Sequence, residues 1–207
     1  MIKIQNLNKS FGQKIVFSDF SMAVDRNEAV GLWGESGCGK TTLLRIISGL
    51  DEEYAGEVLL DGIKMEPSIK PYKRGVALVM QEPVLWSHMT VKENILYPLN
   101  QEAGRIAQEK LEDICSTLEI QDLYKRYPDQ ISGGQAKRVS LARALMANKQ
   151  ILLLDEPLSN IDSKTKDKVM EALKKEYMQK KTVLYVSHDK GEIEHMCSRI
   201  QALASIG

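Results

Sequence analysis

Apolar and polar positions alternate at the start of the chain. Ile2-Lys3-Ile4, then Ile15-Val16-Phe17 and Phe20-Ser21-Met22-Ala23-Val24, read as short antiparallel strands with one face toward water. The pattern then changes. Ala29-Val30-Gly31-Leu32-Trp33 is apolar almost without a break and stops at glycine. Over residues 41–50, Leu43, Leu44, Ile46, Ile47 and Leu50 recur at helical spacing, which predicts strand, loop, helix. Gly56-Glu57-Val58-Leu59-Leu60-Asp61-Gly62 predicts a strand closed by an Asp-Gly turn, and Val76-Ala77-Leu78-Val79-Met80 a buried strand.

From residue 91 to about 127 the period is helical, with Leu111, Ile114, Cys115 and Leu118 on one face. Val139, Leu141, Ala142, Leu145 and Met146 belong to another helix, and this middle block offers no strand. Strands return with Ile151-Leu152-Leu153-Leu154-Asp155 and Thr182-Val183-Leu184-Tyr185-Val186-Ser187, on either side of a helix from 163 to about 179. Strands alternating with helices predict an α/β fold: a mostly parallel sheet flanked by helices. An antiparallel β subdomain and an inserted α-helical subdomain complete it. The expected division is one domain over 1–207, with the core and β layer in 1–80 and 150–207 and the helical subdomain in 82–148. Residues 198–207 read as a last strand and turn, with no regulatory domain expected after them.

Composition changes this picture little. The 207 residues are 43% hydrophobic and 27% charged, and 28 basic side chains balance 28 acidic ones, so no long-range field selects nucleic acid or an anionic membrane. No nucleic-acid partner is expected. Cys38, Cys115 and Cys197 lie far apart without CxxC spacing, which argues against disulfides and zinc. No apolar run reaches the roughly 18 residues of a membrane helix, and the alternating start is unlike a signal peptide. A cytoplasmic location is expected.

Gly34-Glu35-Ser36-Gly37-Cys38-Gly39-Lys40-Thr41-Thr42 fits GxxxxGK[ST], and it stands between the predicted strand and helix, where that pattern has meaning. Glycines let backbone N–H groups wrap an anion, Lys40 offers a positive charge to β- and γ-phosphates, and Thr41 offers a hydroxyl to Mg²⁺. The fold expectation is thereby a P-loop NTPase core that takes ATP. Asp155 ends an apolar strand and is the candidate to hold hydrated Mg²⁺, and Glu156 is the candidate general base for the attacking water. Cys38, at the head of a helix, is either an activated thiol or a small filler.

Ile131-Ser132-Gly133-Gly134-Gln135 resembles the signature of the ATP-binding cassette (ABC) family. The resemblance runs through the whole chain in the family's order: phosphate loop, Gln81, signature, Asp155, Glu156, Ser159-Asn160-Ile161-Asp162, and His188. Ser132 also suits an N-cap, and Gly133, Gly134 and the helix start near Gln135 make a second anion site. The resemblance implies a head-to-tail dimer that sandwiches ATP between one subunit's phosphate loop and the other's signature. It further implies that Gln81 senses Mg²⁺ and the attacking water, that His188 contacts the γ-phosphate, and that Phe11 stacks on adenine. Phe11 read alone is equally a core residue. Ile131, where leucine is commoner, keeps the bulk, whereas Asn160 and Ile161 depart from the usual alanine and leucine.

The family works mostly in membrane transport. No sustained heptads occur between the phosphate loop and the signature, and only one cassette is present, which favours a transporter subunit over a soluble ATPase acting on nucleic acid or in translation. The segment 82–95 resembles the stretch that receives helices of membrane-spanning permease subunits; Leu85, Trp86 and Met89 either line that groove or close the core. Tyr127-Pro128-Asp129-Gln130 resembles stand-alone, importer-style cassettes. The resemblance thus implies a protein peripheral at the cytoplasmic membrane face, and it names no cargo.

Overall fold

The structure is a computed structural model that describes residues 1–99 and 105–204. The part of the expected helical stretch at 100–104 and the end of the expected final turn at 205–207 lie outside the described residues. In chain order the elements begin β1 (Ile2–Phe11), β2 (Lys14–Val24), β3 (Ala29–Trp33), α1 (Lys40–Ser48), β4 (Ala55–Leu60), β5 (Ile63–Lys64) and β6 (Val76–Val79). They continue with α2 (Val91–Leu96), α3 (Arg105–Thr117), α4 (Gly133–Met146), β7 (Ile151–Asp155), α5 (Ser163–Ala172), β8 (Thr182–Val186), α6 (Lys190–Met196) and β9 (Arg199–Ala202). The chain divides into two compact units: one takes 1–78, 150–155 and 178 onward, the other 79–149 and 156–177.

The first unit holds a four-stranded sheet in the order β2-β1-β4-β5 and a five-stranded sheet in the order β6-β7-β8-β3-β9. The first sheet is antiparallel throughout. In β1 the buried side chains are Ile2 and Ile4, then Leu7 and Lys9, so the buried face passes from even to odd positions. Asn6, in the left-handed region at φ 50°, marks the change, because an irregularity of one residue turns every following side chain over. Asp19 at φ 52° marks another bulge inside β2, which is why the two segments expected at 15–17 and 20–24 are one bent strand. Asp61 and Gly62, both at positive φ, make the tight turn between β4 and β5.

In the second sheet β7 pairs with β8, and β3 with both β8 and β9, all in parallel. Val30 and Leu32 of β3, Leu43, Leu44, Ile46 and Ile47 of α1, Ile151 and Leu153 of β7, and Leu184 and Val186 of β8 share one buried cluster. Each such side chain contributes about 1.5–3 kcal/mol by leaving water. Leu50, expected on the helical stripe, is instead exposed: Gly49 at φ 82° ends α1 first and returns its N–H to Arg45 and Ile46 carbonyls.

In the second unit Leu111, Ile114 and Cys115 of α3 and Leu118 just after it are fully buried, as their spacing predicts. Most of α4's circumference is buried, from Lys137 through Met146. Arg138 of α4 donates to the carbonyls of Leu118 and Glu119 at 2.8 Å, closing the chain just past α3. Among the described residues, 82–148 contains no strand.

Arg74 of the first unit is buried and donates to the carbonyls of Ile46, Ile47, Ile69, Glu66 and Pro67 at 2.9–3.4 Å. Its charge sits where the α1 dipole is negative. Arg74→Met should lower the unfolding free energy by about 3 kcal/mol, because several buried carbonyls lose a charged donor. Arg74→Lys should recover only part, since an ammonium cannot replace the guanidinium fork. Denaturant titration of the three proteins measures both effects.

Candidate active site

Three parallel strands, β7, β8 and β3, lie side by side, so their carboxyl ends face the same way. The register sets Asp155 opposite Val186, and Val186 opposite Leu32. The acid at the end of β7, the Ser187-His188 turn after β8 and the loop after β3 therefore share one edge, where open α/β sheets bind ligands.

At that edge the chain leaves β3 through Gly34 to Gly39 and enters α1. Gly34 has no room for a side chain, because a Cβ there would collide with the Leu203 carbonyl and lie 2.7 Å from Cys38 Sγ. Gly37 and Gly39 adopt φ 81° and 104°, which other residues rarely reach. No side chain caps α1, whereas Ser132, Thr90, Asp162 and Asp189 cap α4, α2, α5 and α6. Lys40 Nζ donates to the carbonyls of Gly34 and Glu35 at 2.6 and 2.8 Å, which holds its charge over the loop. An uncapped helix start beside a fixed cation suits a phosphate chain. Cys38 is buried in the hydrophobic cluster, as the filler reading has it.

Thr41 Oγ1 donates to Asp155 Oδ2 at 2.7 Å, joining α1 to the end of β7. The two are hard oxygen donors, and no group of three or more His, Cys, Asp or Glu able to hold a metal occurs among the described residues. This donor set fits Mg²⁺, which keeps several waters and takes one or two protein oxygens beside phosphate. After β8, His188 is exposed on a turn bounded by buried Ser187 and by Asp189, the cap of α6. Phe11 is 52% exposed, which sets aside its reading as a core residue, and Lys9 Nζ lies 4.4 Å from its ring centroid.

The remaining expected residues belong to the second unit. Glu156 stands at φ 48°, a left-handed conformation that costs a glutamate about 1 kcal/mol or more, and its carbonyl accepts bonds from Ser159 N and Oγ. Ser132 caps α4 by accepting from Gln135 N at 3.3 Å, and Gln135 Oε1 accepts in return from Ser132 N at 2.9 Å. Gly133 has open space where a Cβ would be, but a Cβ on Gly134 would collide with the Asn160 carbonyl. Gln81 is exposed, and its carbonyl accepts from Lys137 Nζ.

Two neighbours of the expected residues escaped the sequence reading. A Cβ on Gly37 would lie 3.7 Å from Lys14 Nζ, so a second ammonium stands by the phosphate loop; a lone lysine after a turn gives no pattern to read. Lys137 is only 2% exposed and occupies the helical stripe of Leu141 and Leu145, a charge on an apolar face that was a readable sign. Leu85, Trp86 and Met89 are half-buried, and among the described residues Val84, Tyr97 and Tyr127 are large hydrophobic side chains of this unit that stand exposed. Fully buried Asn94 fixes the segment, accepting from Trp86 N and donating to the carbonyls of Trp86, Met89 and Thr90. Trp86 packs on Tyr97 with centroids 4.0 Å apart, and the Arg143 guanidinium lies 4.6 Å from its ring.

The signature glycines should therefore separate on substitution. Gly134→Ala should lower stability by about 1–3 kcal/mol, since the backbone at Asn160 has to move. Gly133→Ala should cost no stability, because its Cβ meets open space. Thermal unfolding of the two variants beside the parent distinguishes these outcomes.

A family model described as ABC transporter matches residues 17–159. The spermidine/putrescine import ATP-binding protein PotA of Chromobacterium violaceum is 39% identical over 210 residues, covering 99% of this chain and 57% of that protein. The xylose/arabinose import ATP-binding protein XacJ of Haloferax volcanii is 37% identical over 206 residues, covering 98% of this chain and 54% of that protein. The chain thus spans about half the length of these curated relatives. Among solved structures, the dimeric post-hydrolysis state of the ATP-binding cassette MJ0796 bound to ADP and Pi matches with a TM-score of 0.88 at 31% identity, covering 100% of this chain and 97% of that one. The parallel sheet with its flanking helices is accordingly a P-loop NTPase core, and the chain, an ATP-binding cassette, belongs to the ABC transporter family.

Proposed function

We propose that this cassette is the ATP-hydrolysing subunit of an importer-like ABC transporter, peripheral at the cytoplasmic face of a membrane. The observation that carries the hydrolytic reading is the uncapped start of α1 under Lys40, with Thr41 bonded to Asp155. The names of its relatives, import ATP-binding proteins for polyamines and for sugars, support the transport reading and its direction. Among the described residues no helix is long and apolar enough to cross a membrane. This reading gives passage of the cargo to partner permease subunits.

In this reading Phe11 stacks on adenine, residues 34–42 bind the phosphates, and Lys40 neutralises the β- and γ-oxygens. Thr41 and Asp155 would hold Mg²⁺, which would supply charge neutralisation for the phosphates, and Gln81 would sense the ion and the attacking water. Glu156 accepts a proton from water as the water oxygen bonds to γ-phosphorus and the bond to the β–γ bridging oxygen breaks. His188 contacts the γ-phosphate. Ser132, Gly133, Gly134 and Gln135 act in trans, contributing the helix start of α4 to the ATP held by a second cassette. Val84, Trp86 and Tyr97 form the apolar surface offered to the permease.

Glu156→Gln should slow ATP turnover by about 10²–10⁴-fold while ATP-driven dimerisation, read by light scattering, persists. Lys40→Ala should abolish both. Parent-like turnover in Glu156→Gln would remove this residue as the base. Affinity capture from detergent-solubilised membranes should return a polytopic membrane protein; recovery of ribosomes or nucleic acid in its place would overturn the transport assignment.

A further inference from the structure

Tyr185 and Glu192 lie inside the first unit, and the hydrolytic cycle proposed above uses neither. Their exposures are 0% and 5%, and the tyrosine hydroxyl donates to Glu192 Oε1 at 2.6 Å. A buried carboxylate is costly unless it is held, and a short bond from a hydroxyl is the kind that holds one. Burial, reinforced by the carboxylate, keeps the tyrosine hydroxyl protonated far above its usual range, so it remains a donor.

The pair does more than satisfy itself, because Glu192 is tied at both ends. Its backbone N–H donates to Asp189 Oδ1 at 3.1 Å, and Asp189 N in turn donates to Ser187 Oγ at 3.1 Å. A continuous series of hydrogen bonds runs from the interior of β8 at Tyr185, through Glu192 and Asp189, back to Ser187 at the strand's end. His188 is the residue enclosed by that series, and its side chain is exposed at the tip of the turn. An imidazole that has to meet a phosphate within a few tenths of an ångström depends on the backbone that carries it, and this series fixes that backbone on both sides of His188.

We propose that the Tyr185–Glu192 pair is a positioning device for His188: it acts on ATP hydrolysis by fixing the turn that carries the imidazole. This rests on the role proposed for His188. Tyr185→Phe keeps the ring and removes only the donor, so the folded state should persist. The variant should lower kcat about 10-fold with KM for ATP within about 2-fold of the parent, the size of effect that support residues show.

The test is a double-mutant cycle of Tyr185→Phe and His188→Ala, with turnover measured at saturating ATP and Mg²⁺ and folding checked by circular dichroism. In the His188→Ala background, Tyr185→Phe should change the residual kcat by less than about 2-fold, because the group it positions is gone. Undiminished kcat in Tyr185→Phe alone, or a loss that multiplies in full in the His188→Ala background, overturns the positioning role while leaving His188's own role intact. Parent-like turnover in His188→Ala overturns both. If Tyr185→Phe does not fold, Glu192→Gln replaces it in the same cycle with the same criteria, since it preserves the size of the side chain and weakens the bond.

Discussion

The hydrogen bond from Thr41 to Asp155 can exist only because two strands distant in sequence end at the same level. β3 and β7 are not neighbours; β8 lies between them, and its register with each sets Leu32, Val186 and Asp155 in one row. A one-residue slip in the pairing of β7 with β8 would displace the acid from the loop and turn every side chain to the opposite, equally buried face, where the packing is different. The hydrophobic cluster that fixes this register therefore also fixes the distance between a hydroxyl and a carboxylate. Packing and chemistry are here one constraint.

The helical unit solves a different problem. Its irregular segments carry many backbone carbonyls near or in the interior, and buried or half-buried polar side chains answer them: Asn94 for 86–90, Arg138 for the residues just past α3, Lys137 for Gln81. Such bonds add modest stability each, but removing one leaves an interior group without a donor, so they specify conformation more than they strengthen it. The segment 84–90 is thus held in shape from within, independently of what its outward side chains touch.

Local patterns made much of this legible in the sequence. The phosphate loop, the Ser132 cap, the Asp61-Gly62 turn and the α3 stripe each depend on residues a few positions apart, and period, cap and turn chemistry read directly at that range. β2 was misread as two strands because a bulge at Asp19 breaks the alternation without ending the strand. Leu50 was misread because helical spacing continues past the glycine that stops the helix. The partners of Arg74 and the link from Tyr185 to Glu192 were invisible for another reason: nothing in the order of residues says which carbonyl or carboxylate a buried donor will find. Lys137 is the intermediate case, anomalous on its stripe but silent about Gln81.

The close fit at Gly34 has a consequence for the thiol beneath it. Cys38 is enclosed by the loop, with Lys40 Nζ 3.7 Å from its sulfur and the Leu203 carbonyl crowding the glycine above. Peroxide or an alkylating agent reaches such a sulfur only when the loop lifts, so its rate of modification follows the opening equilibrium of the loop more than its own nucleophilicity. A buried thiol within the phosphate loop thereby acts as a built-in clock for the breathing of the segment that grips the phosphates.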